Sequence, residues 1–273
     1  MVIALVLFFH FKMALQMIAL LKTAERTNNS SYINNYVFQR HVFAYKAVPL
    51  EHLQHKQVLE LGCGEGYGME MLAPHTAHYR SVDKKKPISK LPANASFQSC
   101  NLPALSSIAD NSYDTVICFQ VIEHIKDDSA LLHEIRRVLK PGGRLFLTTP
   151  NRLTSLSRNP FHVREYLPRE MFALMKSHFA TAKVEGIYGN EAVMAYYEEN
   201  KRSVNNIARF DIFRLQHRLP AFLLRIPYTL LNNMNRFQLL KKMEDVTAGI
   251  SYDDFYQHSL GDNCLDYFVT AVK

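Results

Sequence analysis

The sequence predicts an α/β protein of the doubly wound kind, a mostly parallel seven-stranded sheet with a helical insertion before the last strand. Three observations carry this. Strand-length apolar runs alternate with helically striped stretches from residue 57 onward. The first of those runs, VLEL, breaks into a loop with glycine at every second position: Gly62, Gly64, Gly66 and Gly68. The chain, 273 residues at 48% hydrophobic, can bury one large core and still carry an insertion.

The elements follow in order. The first 21 residues contain 18 apolar ones. As a helix rising 1.5 Å per residue, the segment would just cross a bilayer core of about 30 Å. His10 and Lys12, however, fall at its middle, where charge is costly. Three readings stay open: a bland apolar helix or an over-extended start, with Met13 or Met17 as the real beginning; a membrane-surface or single-span anchor; and a signal peptide. Residues 1–30 are thus an apolar segment and linker, and the core domain is expected over 31–189.

Within that core, YVFQRHVFAYKAV reads as an amphipathic helix. Residues 57–61 form strand one, followed by the glycine loop and a short helix near Met69 to Leu72. AHYRSV, ending at Asp83, is strand two, and SFQ marks a third. YDTVICFQVI is a continuous apolar run, as expected of a strand buried on both faces. Asp127 or Asp128 caps the next helix, Leu131, Leu132, Ile135, Val138 and Leu139 stripe it, and Lys140 with PGG ends it. RLFLTT is strand five, LPREMFALMKSHF a helix, and TAKVEGIYG strand six. The last strand, CLDYFVTAV, lies in 259–273. Residues 190–258 show helical patterns and exceed any ordinary loop, so they predict a helical insertion over the sheet edge, acting as a lid.

Charge and cysteine usage narrow the function. The net charge of +7 is concentrated: nine Lys or Arg against the single acid Asp211 between Lys201 and Lys242. That segment suits either an anionic partner or a solvated basic face. The four cysteines are scattered without a C-x-x-C pair, and the two histidine pairs at spacing three, His52 with His55 and His75 with His78, lack nearby acidic or thiol ligands, so neither a metal site nor a disulfide framework is expected. A reducing cytoplasm is the simplest compartment, with membrane association through residues 1–21 or the basic insertion as a further option.

The glycine loop holds something flat against bare backbone, because glycine lacks Cβ and takes positive φ. Counted from Gly62 and Gly64, the third glycine of a dinucleotide fingerprint falls on Tyr67, so a nicotinamide cofactor fits poorly. No G-K-S or G-K-T ending supplies a cation for a triphosphate; Glu65 stands in the loop instead. Glu60 ends strand one, and Asp83 ends strand two, where an acid can accept hydrogen bonds from both hydroxyls of a ribose. An adenosine across the first two strand ends is the reading these positions support.

Together LELGCGEGYG, SVD, NSYDTVICFQVIEHI and LHEIRRVLKPGGRLFLTTPN resemble the class I S-adenosylmethionine-dependent methyltransferases of the small-molecule type, over about residues 56–150. The resemblance implies a Rossmann-like methyltransferase fold with S-adenosyl-L-methionine as cofactor. Gly62, Cys63 and Gly64, with Glu60 behind them, would shape the loop under the methionine part, and Asp83 would hold the ribose. Where the family usually places an acid ahead of Leu-Pro, this chain has Asn101 before Leu102. Asparagine can accept from the adenine amino group and donate to a ring nitrogen. Gln120 would line the pocket near the methionine portion.

An oxygen acceptor would also need a base, and Glu123 and His124 follow strand four at the cofactor's end of the sheet. The same pair can instead merely fix the start of the next helix. Some quinone O-methyltransferases carry a metal-binding E-x-x-E-H here, but Gln120 replaces the first glutamate, which argues against a metal. FQVIEH lacks the Pro-Pro-Tyr/Phe or Pro-Cys of nucleic-acid methyltransferases, so no nucleic-acid partner is expected. The acceptor is expected to be a small molecule, with a hydrophobic or lipid-linked one suggested by the insertion, and to be received by PNR, by His162, Arg164 and Tyr166, and by the insertion. The alternative is a catalytically silent scaffold that binds the cofactor, or the membrane, without turnover.

Overall fold

The computed structural model describes residues 34–209, 211 and 215–273; the apolar segment 1–21, with its competing readings, lies outside the described residues. The sheet comprises β1 (Gln57–Leu61), β2 (His78–Asp83), β3 (Ala95–Ser99), β4 (Tyr113–Phe119), β5 (Leu139–Pro150), β6 (Thr181–Gly189), β7 (Phe255–Ser259) and β8 (Asp266–Val272). Their order is β3-β2-β1-β4-β5-β8-β6-β7. β1 to β5 run parallel, while β8 is antiparallel to both β5 and β6. The order reverses between β1 and β4, the switch point where open parallel sheets leave a crevice at their carboxyl ends.

Helices cover both faces. On one side α3 (Asp128–Val138) and α4 (Pro168–His178) bury Leu131, Leu132, Ile135, Met171 and Met175 against Leu59, Leu61, Val116 and Cys118. On the other, α1 (Asn35–Lys46) and α2 (Tyr67–Leu72) set Ala44, Tyr45, Met69 and Leu72 against Val58, Ile117 and Phe119. The alternation of Leu59 and Leu61 with Val58 is the period-two division of one strand between two cores. Asp127 caps α3 by accepting the Ala130 N–H at 2.9 Å.

Two features depart from the expectations. The sheet has eight strands, because Phe255–Ser259 pairs antiparallel with β6 at the edge. Within FYQHS only Phe255 is fully buried, so the segment carries little apolar alternation and owes its conformation to the hydrogen bonds offered by β6. The stretch 190–258 therefore ends in a strand. Its helices are α5 (Glu191–Ala208), α6 (Leu215–Arg218), α7 (Ala221–Lys242) and α8 (Glu244–Gly249). In α7 the buried positions include Thr229, Asn233 and Asn235, whereas Leu223, Ile226, Leu231, Met234 and Phe237 are exposed. The helix is amphipathic with its polar side inward.

Candidate active site

The loop after β1 is held by backbone hydrogen bonds from Gly62 N and Cys63 N to Val82 O. Three of its residues are left-handed: Gly62 at φ +73, Gly64 at +53 and Gly66 at +94. A Cβ on Gly62 would lie 2.5 Å from Val121 Cγ2, so glycine is required there by both conformation and space. At Gly64 a Cβ would meet nothing within 4 Å. That open side belongs to a pocket lined by Gly62, Cys63, Gly64, Phe119, Gln120 and Asp266, with Arg40 and Tyr45 of α1 also in its lining. The bare backbone at Gly64 makes a cradle that a side chain would fill, as a flat cofactor requires.

Asp83 Oδ2 accepts the Gly64 N–H at 2.9 Å, and its Oδ1 accepts the Lys85 N–H at 3.1 Å. The carboxylate is thereby fixed between the ends of β1 and β2, beside Gly64 of the cavity lining. Glu60 is buried behind the loop, where the Tyr45 hydroxyl donates to its Oε1 at 2.6 Å. Burial pushes the Glu60 carboxyl up to about 7. Gln120 sits at φ +54, a conformation costing roughly 1–3 kcal/mol for a residue with a side chain. Its Nε2 reaches Thr148 Oγ1 at 3.3 Å, and both line the cavity. Asn101 is exposed just beyond β3, and Leu102, half-buried, packs on the core; neither is in the cavity wall.

A second, larger cavity adjoins the first and shares Arg40 and Asp266 with it. Its walls come from α1, the loop after β5, and the inward faces of α5 and α7. Arg40 Nε lies 3.0 Å from Asp266 Oδ2, so a buried ion pair forms the seam between the two spaces. Sequence reasoning missed this pair. The available signals were one arginine in an aromatic helix and one aspartate opening an apolar strand, since charged groups are seldom buried without a partner.

Glu123 and His124 lie beside this second cavity, outside the residues that line either space. Glu123 is buried, accepts the Thr149 hydroxyl at 2.9 Å, and is pushed up to about 7 by burial. Its backbone carbonyl accepts Val163 N–H and Arg164 N–H, which folds the 159–165 loop back over it. His124 Nδ1 contacts Phe161 O at 3.1 Å, and its ring meets that of His162 edge-on at 4.9 Å. His162 does line the second cavity. Its Nδ1 is 2.6 Å from Glu165 Oε1 and its Nε2 is 2.8 Å from Asn159 Nδ2, a pattern satisfied by one neutral tautomer. Glu123, His124 and His162 bring ligand atoms within 4.8 Å of one another, but hydrogen bonds already engage both His162 ring nitrogens. Of the other expected acceptor residues, Arg164 pairs with Asp128 at 2.8 Å, and Tyr166 is buried with its hydroxyl on the same carboxylate.

Comparison with known proteins agrees with this geometry. Residues 59–147 match the family described as methyltransferase domain. A probable S-adenosylmethionine-dependent methyltransferase of Mycobacterium tuberculosis is 38% identical over 163 residues, 56% of this chain and 58% of the relative. One from Mycolicibacterium smegmatis is 35% identical over 168 residues, covering 58% and 65%. A ubiquinone biosynthesis O-methyltransferase of Aeromonas salmonicida is 32% identical over 105 residues, covering 36% and 44%. The chain thus spans about three fifths of the length of the first two relatives. Among solved structures, phospholethanolamine N-methyltransferase 2 of Haemonchus contortus superposes with a TM-score of 0.52 at 17% identity, covering 94% of this chain and 60% of that one. A [4+2]-cyclase, SpnF, superposes at 0.50 and 16% identity, covering 86% and 80%. Likeness at that level shows the fold alone, and the fold hosts more than one chemistry. Loop, sheet order and sequence matches agree over residues 59–147, the span that is similar to the methyltransferase domain family and to the probable S-adenosylmethionine-dependent methyltransferases.

Proposed function

We propose that the chain transfers a methyl group from S-adenosylmethionine to a small molecule seated in the second cavity. The observation that carries this reading is the adjacency of the two spaces: a glycine-floored cavity at the switch point opens beside a larger one, with Arg40 and Asp266 in both walls. When bound, S-adenosylmethionine supplies a methyl already activated on a sulfonium, so the protein's task is alignment, worth on the order of seven kcal/mol in good cases. Asp83 and the Gly62–Gly64 backbone hold the donor, with Glu60, Cys63, Asn101, Leu102 and Gln120 assigned to its surroundings. Residues 190–258 act as the lid over the acceptor. A hydroxyl acceptor must lose a proton, and we place the base at Glu123 and His124, which follow β4 beside the second cavity.

A hydrophobic or lipid-linked acceptor is favoured by the outer face of α7. Its exposed row Leu223, Ile226, Leu231, Met234 and Phe237 is bordered by Arg225, Lys241 and Lys242, the combination that seats a helix on an anionic lipid surface. Among the described residues no helix is long and apolar enough to cross a membrane; surface seating is the mode proposed for α7. Incubating the protein with cell extract and S-adenosylmethionine labelled in its methyl group tests the proposal. Label appearing in the lipid fraction is the expected result; S-adenosylhomocysteine binding without any labelled product would favour the silent scaffold.

A further inference from the structure

Among the described residues, one cation of the second cavity has no carboxylate partner. Its charged walls are Arg40, His162, Glu165, Arg236 and Asp266. Asp266 is committed to Arg40 at 3.0 Å, and Glu165 to His162 at 2.6 Å. Arg236, on the inward face of α7, donates from Nη1 to Asn34 Oδ1 at 2.5 Å and has no carboxylate partner among the described residues. A guanidinium remains protonated in any protein environment, so it cannot escape the cost of burial by shedding its charge. Elsewhere in the lining of the same cavity, Tyr36 is 6% exposed and its hydroxyl has no hydrogen-bond partner, although its ring stacks on Tyr196 at 4.7 Å.

A fixed cation and an unsatisfied phenol in one cavity describe a receptor for an oxyanion. On the reading that this cavity takes the methyl acceptor, we propose that the acceptor carries a carboxylate or phosphate group, and that Arg236 binds that group and selects for it. Planar N–H donors match both oxyanions in bidentate fashion, and Tyr36 supplies a further donor. Arg236 is a specificity-determining residue here, and the methyl is received by another atom of the same molecule.

The test is calorimetric titration of the full chain, preloaded with S-adenosylhomocysteine, with octyl phosphate, octanoate and octanol. The inference expects one or both oxyanions to bind at least tenfold more tightly than octanol. The ratio of phosphate to carboxylate affinity identifies which headgroup the site is built for. Arg236→Met should remove the preference while leaving octanol and S-adenosylhomocysteine affinities unchanged, and Arg236→Lys should retain only part of it. Equal affinity for octanol and both oxyanions in the unaltered protein, or an oxyanion preference that survives in Arg236→Met, overturns the inference. Should Arg236→Met fail to fold, the salt dependence of the unaltered protein decides: a preference unchanged between 50 mM and 500 mM KCl is not electrostatic and contradicts it. Loss of S-adenosylhomocysteine binding in the unaltered protein would instead count against the methyltransferase reading, so the two failures are distinguishable.

Discussion

Gly64 and Gly142 offer a matched pair of perturbations. Both are left-handed, at φ +53 and +75, and at both a new Cβ would meet nothing within 4 Å. Alanine at either position therefore costs about the same backbone strain, roughly 1–2 kcal/mol. For a domain of this size that corresponds to a melting shift of roughly 2–8 °C. The two sites differ in one respect. Gly64 forms part of the cavity floor, whereas Gly142 is an exposed turn residue in β5 whose N–H bonds Lys273 O. A methyl group at Gly64 projects into the space assigned to the cofactor; one at Gly142 projects into solvent. Gly64→Ala should weaken S-adenosylhomocysteine binding at least tenfold, about 1.4 kcal/mol. Gly142→Ala should bind like the unaltered protein while melting at a similarly reduced temperature. Calorimetric titration and thermal melts on the two variants read both quantities. Equal affinities in the two variants would refute the placement of the cofactor on the Gly62–Gly64 backbone.

Three further expectations follow from named contacts. Asp266→Asn leaves Arg40 buried without its counter-charge and should destabilise the fold by roughly 3–5 kcal/mol, whereas Arg40→Met combined with Asp266→Leu should recover most of the loss; urea midpoints that fail to recover contradict the buried ion pair. Burial raises Glu123 from 4.5 to about 7, so the folded state holds its proton more tightly than the unfolded chain does. The resulting stability is complete below about pH 4.5 and lost as pH rises through 7, on the order of 3 kcal/mol in total. Glu60 is raised to about 7 as well and contributes a similar slope, so Glu123→Gln should shrink the slope between pH 5 and 8 by about half in urea titrations, and parallel curves for the two proteins would argue against a buried Glu123 carboxyl. Ile226→Glu with Met234→Glu should halve, or better, the co-sedimentation of the full chain with phosphatidylserine vesicles, and unchanged pelleting would remove α7 as the lipid-facing element.

Much of the proposed donor half of the site is legible in the sequence, because its signals are local. VLEL followed by spaced glycines states a strand, a tight turn and a close approach within a dozen residues, and the acid of SVD ends the neighbouring strand by ordinary periodicity. The order of the parallel strands follows from the resemblance and from the alternation of strand and helix. The acceptor half is much less legible, because its contacts join distant parts of the chain. Arg40 and Asp266 meet only after the last strand inserts between β5 and β6. Phe255–Ser259 is a strand because β6 presents an edge to it, which no pattern within FYQHS announces. In α7 an apolar stripe would ordinarily mark the inward face, yet Thr229, Asn233 and Asn235 point inward while Ile226 and Met234 face out. His162, expected on the acceptor side, lines the cavity; Arg164 and Tyr166, from the same loop, are spent on Asp128.

The claim on which the rest stands is that S-adenosylmethionine lies on the loop after β1 with its ribose on Asp83. A crystal structure of the protein soaked with S-adenosylhomocysteine tests it directly. Electron density is expected along Gly62, Cys63 and Gly64, with the ribose hydroxyls within hydrogen-bond distance of the Asp83 carboxylate. Density bound away from that carboxylate, or a crevice that stays solvent-filled at saturating ligand, would contradict it.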